Sequence, residues 1–268
     1  MNDQPIGVFD SGIGGLTVVR ELARRLPRES LVYVGDTARV PYGTKSPETV
    51  RRYSAEILEL LLARRVKMVV VACNTASAHA LQMLRDMTPV PVEGVVDPGS
   101  RAAVRASAGG RIGVIGTPGT VRSGAYERAI KALSPGAEVV SAACPLFVPL
   151  VEEGWLDHPA TRLIVRDYMA PFKSGRVDTL VLGCTHYPLL KPLLAEELGQ
   201  DTILIDSAAE TAAAVDAVLR ERGLAAPEGA QGRVHFCVSD AVETFTRVGA
   251  SFLGGQVRDV EQVVLGAH

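Results

Sequence analysis

Two short runs of branched apolar residues, Met68-Val69-Val70-Val71 and Thr179-Leu180-Val181-Leu182, limit most strongly what this chain can fold into. Runs of this length that do not alternate apolar with polar residues read as strands covered on both faces, as in a parallel sheet flanked by helices. Both runs end alike. One small residue leads to a cysteine and then to small hydroxyl or amide groups, in Ala72-Cys73-Asn74-Thr75-Ala76 and in Gly183-Cys184-Thr185-His186-Tyr187. Apolar residues at helical spacing follow, so each strand is expected to deliver a thiol to the start of a helix.

The rest of the chain repeats the strand-helix rhythm. Strands are expected at Ile6 to Phe9, Leu31 to Val34, Val92 to Val96, Arg111 to Ile115, Ala137 to Ala142 and Val234 to Val238. Helices fall between them; one begins at Ser46-Pro47, with serine as cap and proline in the first turn. A single helix is expected from Thr120 to about Leu133, and Asp97-Pro98-Gly99 reads as a crossing point between two halves. The landmarks of these halves lie at near-constant offsets: Ile6 to Ile112 is 106, Cys73 to Cys184 is 111, and Asp97 to Asp206 is 109. The expected fold class is α/β, with two pseudo-symmetric lobes and a ligand cleft between them at the carboxyl ends of the strands. Residues 1–97 with 207–268 would form a discontinuous first lobe, and residues 98–206 the second.

Composition narrows the function. The 268 residues carry 28 Lys and Arg against 30 Asp and Glu, a formal charge of −2, with no basic stripe to suit nucleic acid. No apolar run reaches membrane-spanning length. The start, Met1-Asn2-Asp3-Gln4-Pro5, has no basic leader or signal-like apolar segment, which gives an expectation of cytoplasmic residence. Four scattered cysteines in a reducing compartment are expected to be free thiols.

At a helix start a thiolate meets unpaired backbone N–H groups and a partial positive charge, and a bound carboxylate finds donors. Two such thiols facing one ligand suit removal of a proton from one face of a carbon and its return to the other, as in racemisation. Cysteine is also one of the most often buried residue types, and that plain packing role is assigned to Cys144 and Cys237. Asp10 and Ser11 end the first strand on the rim expected for Cys73; Asp10 could assist that thiol or cap the next helix. His186 could hold a proton near neutrality or be a hydrogen-bonded residue at a helix start. Cys184, His186 and the lone His79 offer no zinc-like spacing. Gly12-Ile13-Gly14-Gly15, with Asp36 downstream, is an incomplete dinucleotide fingerprint, since its last position is Thr17.

Four motifs together, Asp10-Ser11-Gly12-Ile13-Gly14-Gly15-Leu16-Thr17, Val40-Pro41-Tyr42-Gly43, Ala72-Cys73-Asn74-Thr75-Ala76-Ser77 and Gly183-Cys184-Thr185-His186-Tyr187-Pro188-Leu189, resemble those of bacterial glutamate racemases over about residues 5 to 224. The resemblance implies interconversion of L- and D-glutamate without cofactor or metal, supplying D-glutamate for peptidoglycan. It implies that Cys73 deprotonates the D enantiomer with help from Asp10, and Cys184 the L enantiomer with help from His186 and Glu152. Alignment through Pro149-Leu150-Val151 favours Glu152 over Glu153. Asp10, Ser11, Tyr42, Gly43, Asn74, Thr75, Thr185 and His186 would hold the substrate, with Thr117 and Thr120 as further candidates. The implied partners are the small substrate and a second copy of the chain, a homodimer. Two other readings stay open on the residues alone: a related racemase acting on aspartate, and a two-lobed binding protein that captures an acid without chemistry.

Overall fold

The computed structural model describes residues 2–173 and 176–266. The first half runs β1 (Ile6–Asp10), α1 (Leu16–Arg25), β2 (Leu31–Gly35), α2 (Pro47–Ala63), β3 (Met68–Val71), α3 (Asn74–Met87), β4 (Val92–Gly94) and α4 (Val96–Ala106). The second runs β5 (Arg111–Gly116), α5 (Pro118–Ser123), α6 (Ala125–Leu133), β6 (Glu138–Ala143), α7 (Phe147–Glu152), α8 (Pro159–Met169), β7 (Thr179–Gly183), α9 (Lys191–Leu198) and β8 (Ile203–Asp206). The tail adds α10 (Ser207–Glu221), β9 (Val234–Val238), α11 (Val242–Leu253) and β10 (Val260–Gln262).

The strands form two wholly parallel sheets, ordered β10-β9-β2-β1-β3-β4 and β6-β5-β7-β8. The first four strands of each half therefore repeat one order, second-first-third-fourth. The sequence offsets join β1 to β5 and β3 to β7, with Val8 paired to Val70 and Val114 to Val181. In this order the chain leaves the first and third strands in opposite directions, which opens a crevice at their carboxyl ends. Those ends carry Asp10 and Cys73 in one lobe, and Thr117 and Cys184 in the other.

The central strands are apolar because helices cover both faces: every residue of β1, β2, β3 and β7 is buried. One core cluster runs from Leu16 and Val70 of the first lobe through Leu182 and Tyr187 of the second to Phe252 of α11. The tail joins the first sheet, with β9 beside β2.

Four local expectations are corrected. Asp97-Pro98-Gly99 lies in the first turn of α4, where proline is tolerated because its missing N–H would be unpaired anyway. The segment from Pro118 to Leu133 is two helices, broken where Gly124 takes the left-handed conformation at φ +63°. Strand β10 was not anticipated; its pairing with β9 brings the chain end onto the sheet edge. Finally, Cys184 does not open an α-helix. The chain passes through a 3-10 turn at Tyr187–Leu190 before α9 begins at Lys191, since Pro188 and Pro192 each remove a backbone donor.

Candidate active site

Cys73 is the N-cap of α3, with extended backbone and its Sγ accepting from the Ala76 N–H at 3.5 Å. Its thiol also donates to Ser11 Oγ at 3.6 Å. Burial, and then the nearby Asp10 carboxylate, push this thiol up to about 12, against the downward pull of the Ala76 N–H. At neutral pH it keeps its proton. Asp10 lies nearby, 1% exposed, with Oδ2 accepting from Gly12 N at 3.0 Å and Oδ1 without a partner among the described residues. Burial raises the Asp10 carboxyl, although His186 and the backbone N–H groups of residues 11, 12 and 15 oppose the shift. The Asp10 carboxyl thus has a free oxygen and a raised affinity for a proton beside a protonated thiol.

The Cys184 side is built from charge. Its Sγ lies 3.9 Å from His186 Nδ1, and His186 Nε2 lies 2.9 Å from Glu152 Oε1. Burial lowers the affinity of His186 for a proton, yet the bonds to Cys184 and Glu152 outweigh it and bring the imidazole up to about 10. An imidazolium therefore stands beside Cys184 at neutral pH. Glu152 ends α7 and is the acid that reaches the histidine, as the alignment through Pro149 favoured. The ring of His186 packs edge-on against Phe252 of α11, with centroids 5.1 Å apart.

The two thiols line one cavity of about 330 Å³ together with Ser11, Tyr42, Gly43, Asn74, Thr75, Thr117, Glu152, Thr185 and His186. Every residue expected at the site from the sequence lines this cavity except Asp10, which sits just below it, and Thr120, which reaches Thr75 and Thr117 from behind. Tyr42 offers its ring, since its hydroxyl is given to Asp36. Asp36 in turn is held by Arg39 at 2.7 Å and Ser239 at 2.9 Å. This buried carboxylate braces the cavity wall, and the dinucleotide reading of the first turn has no ribose partner left there.

The lobes meet across the cavity at small residues. A side chain on Gly14 would strike Thr185 and His186, and one on Gly43 would stand 2.5 Å from Thr117 Cβ. Thr75 Oγ1 and Thr117 Oγ1 are hydrogen-bonded across this junction at 2.8 Å. His79 bonds to the Gly119 carbonyl at 3.1 Å, away from the thiols. Sequence reasoning missed Val40, Pro41, Pro145, Val148 and Pro149, which supply the apolar part of the lining. Val40 and Pro41 stand inside the Val40-Pro41-Tyr42-Gly43 motif and Pro149 near Glu152, but only the fold decides which apolar side chains face a cavity. It also missed the gathering of His235, Cys237 and Glu261 at the β9–β10 edge, where Arg64 holds both Glu261 oxygens at 3.0 and 2.5 Å.

Two like lobes, with a buried thiol presented by each to a shared cavity, match a known class. The model of the Asp/Glu/Hydantoin racemase family covers residues 6–218, and the chain belongs to that family. Within it, the full-length relatives that it matches include glutamate racemases. That of Geobacter metallireducens is 55% identical over 263 residues, covering 98% of this chain and 97% of the relative. That of Syntrophus aciditrophicus is 51% identical over 97% of both. Among solved structures, glutamate racemase isoform RacE1 of Bacillus anthracis superimposes with a TM-score of 0.94 at 41% identity over 98% of both chains. The Francisella tularensis glutamate racemase, solved in complex with D-glutamate, gives 0.94 at 36% identity over the whole of both. Aspartate racemase of Picrophilus torridus, at 16% identity and a TM-score of 0.56, shares the fold. The chain is accordingly an enzyme of the amino-acid racemase class. Among its described residues, no helix is long and apolar enough to cross a membrane.

Proposed function

We propose that this enzyme interconverts L- and D-glutamate by proton transfer between the substrate α-carbon and the thiols of Cys73 and Cys184, without a cofactor. The observation that carries this reading is the pair of buried thiols, one from each lobe, on a single cavity. Inverting a carbon centre needs one deprotonated and one protonated group on opposite faces. Cys184, as thiolate, takes the α-proton of L-glutamate while the Cys73 thiol delivers one to the other face; the return reaction exchanges their states. The high proton affinity of Cys73 and the imidazolium beside Cys184 support that division of labour. The handedness itself rests on the family resemblance.

The substrate's carboxylates are assigned to the small donors of the cavity: Ser11, Asn74 and Thr75 from the first lobe, Thr185 from the second, and the backbone of Gly43. Asn74 and Thr75 open α3, so their N–H groups and the helix dipole favour an anion. Asp10 is assigned the proton balance of Cys73, and His186 with Glu152 that of Cys184. An amino acid α-proton is very weakly acidic, so preorganised donors and exclusion of water must stabilise a carbanion-like transition state. Closure of the two lobes, divided as residues 1–97 with 207–268 and residues 98–206, supplies that exclusion. The role proposed for the product is D-glutamate supply for peptidoglycan, in a cytoplasm that keeps the thiols reduced.

The test is incubation of either enantiomer in deuterium oxide with a chelator and no added cofactor. The α-position acquires deuterium and optical purity falls towards zero. A folded preparation that leaves both unchanged refutes the reading, and aspartate run in parallel tests substrate choice.

A further inference from the structure

We infer that Tyr126, a residue outside the cavity lining, is a positioning residue that sets the polarity of the Asn74 amide. The inference rests on the glutamate reading above. Asn74 is 3% exposed and follows Cys73 directly. Its Oδ1 accepts from the Tyr126 hydroxyl at 2.6 Å, while its Nδ2 is buried with no partner among the described residues. A buried amide N–H₂ left unpaired is costly unless a ligand completes it. Asn74 lines the cavity, so the missing acceptor is a substrate carboxylate oxygen.

Tyr126 makes that orientation obligatory. It is 2% exposed on α6, and burial raises its pKa, so the phenol keeps its proton and serves as donor to Oδ1. With Oδ1 so engaged, the amide can turn only its N–H₂ towards the substrate. Ser207, the first residue of α10, stands beside the phenol. The ring has a second neighbour. Gly183 immediately precedes Cys184, and a Cβ there would lie 3.1 Å from Tyr126 Cε2. One side chain thus bonds to the residue after the first thiol and leaves no room for a side chain on the residue before the second.

The test uses Tyr126→Phe, which keeps the ring against Gly183 and removes only the hydroxyl. Calorimetry measures binding of D-glutamate and of its two mono-amides, one at the side-chain carboxyl and one at the α-carboxyl. Freed from Tyr126, the Asn74 amide can flip and offer Oδ1 to a ligand amide. Glutamate affinity is therefore expected to fall roughly tenfold, as for an orphaned buried group, while preference for glutamate over at least one mono-amide shrinks by a similar factor. A role in stability alone would weaken all three ligands equally. In an Asn74→Ala background, Tyr126→Phe is expected to cause no further loss, the signature of two residues acting through one contact. An unchanged preference, or additive losses in the double variant, overturns the positioning role. Failure of the wild-type enzyme to bind glutamate would instead overturn the substrate reading, and this inference with it.

Discussion

Gly43→Ala tests whether the reaction depends on close approach of the lobes. The added methyl would stand 2.5 Å from Thr117 Cβ and 2.8 Å from both Cγ2 and Oγ1. Ordinary contact needs roughly 1 Å more, and overpacking of this kind costs about 1–3 kcal/mol. Gly43 lies between β2 and α2 of one lobe, and Thr117 between β5 and α5 of the other. The strain is relieved by parting the lobes, with neither core disturbed, so it falls on the closed, reactive state. At about 1.4 kcal/mol per decade, kcat/KM drops roughly 5- to 150-fold while the melting temperature moves little. Steady-state kinetics for both enantiomers, with a thermal melt, measure this. Thr117→Gly clears all three atoms and keeps an acceptable N-cap, glycine there costing a few tenths of a kcal/mol. In that background Gly43→Ala should change kcat/KM less than about twofold. Wild-type kinetics in the single variant, or an equal loss in both backgrounds, refutes the reasoning.

Cys73→Ser and Cys184→Ser each lower net racemisation by roughly 10²- to 10⁴-fold, because a serine hydroxyl is a far weaker proton-transfer group; near-native turnover by both, measured by polarimetry, contradicts a two-thiol mechanism. Glu152→Gln lowers kcat/KM about 3- to 30-fold by weakening the charge on His186, whose Nε2 it holds at 2.9 Å. The loss must be equal for both enantiomers, since they have the same free energy and their kcat/KM ratio equals the equilibrium constant of one. Wild-type kcat/KM in this variant would show that Glu152 does not act as assigned. His186, raised from 6.5 to about 10, contributes stability that is fully present below 6.5 and lost as pH rises through about 10. The buried thiols of Cys73, Cys144 and Cys237 add their own loss only above 9. Denaturant melts from about pH 7 to 8.5 therefore isolate His186: wild-type stability falls by up to about 1.4 kcal/mol per pH unit, and His186→Asn flattens the slope. A slope unchanged in the variant excludes His186 as its source.

The parallel sheets were legible because each central strand is covered on both faces, which leaves a short branched apolar run such as Met68–Val71 with little other fate. The matched offsets agree with the repeated strand order, because two lobes of one fold keep similar spacing. The errors share a cause. Asp97-Pro98-Gly99 holds two strong turn formers, yet α4 continues through them because Ala102 and Ala103 bury against the lobe. The second thiol motif copies the first in sequence but not in backbone, because prolines after His186 delay its helix.

Within the site, the sequence by itself determined the chemistry available: two thiols at equivalent strand ends, an acid ending the first strand, a histidine two residues beyond the second thiol, and small donors around them. Those are properties of residue type and local spacing. Only the tertiary structure decided how these groups differ. Burial lifts the proton affinity of Cys73, the bonds to Cys184 and to Glu152, the latter 34 residues away, keep His186 charged, and Asp36 takes the Tyr42 hydroxyl out of the cavity. Desolvation and Coulomb interactions depend on distance in space and on what surrounds a charge, and neither is written in the order of residues along the chain.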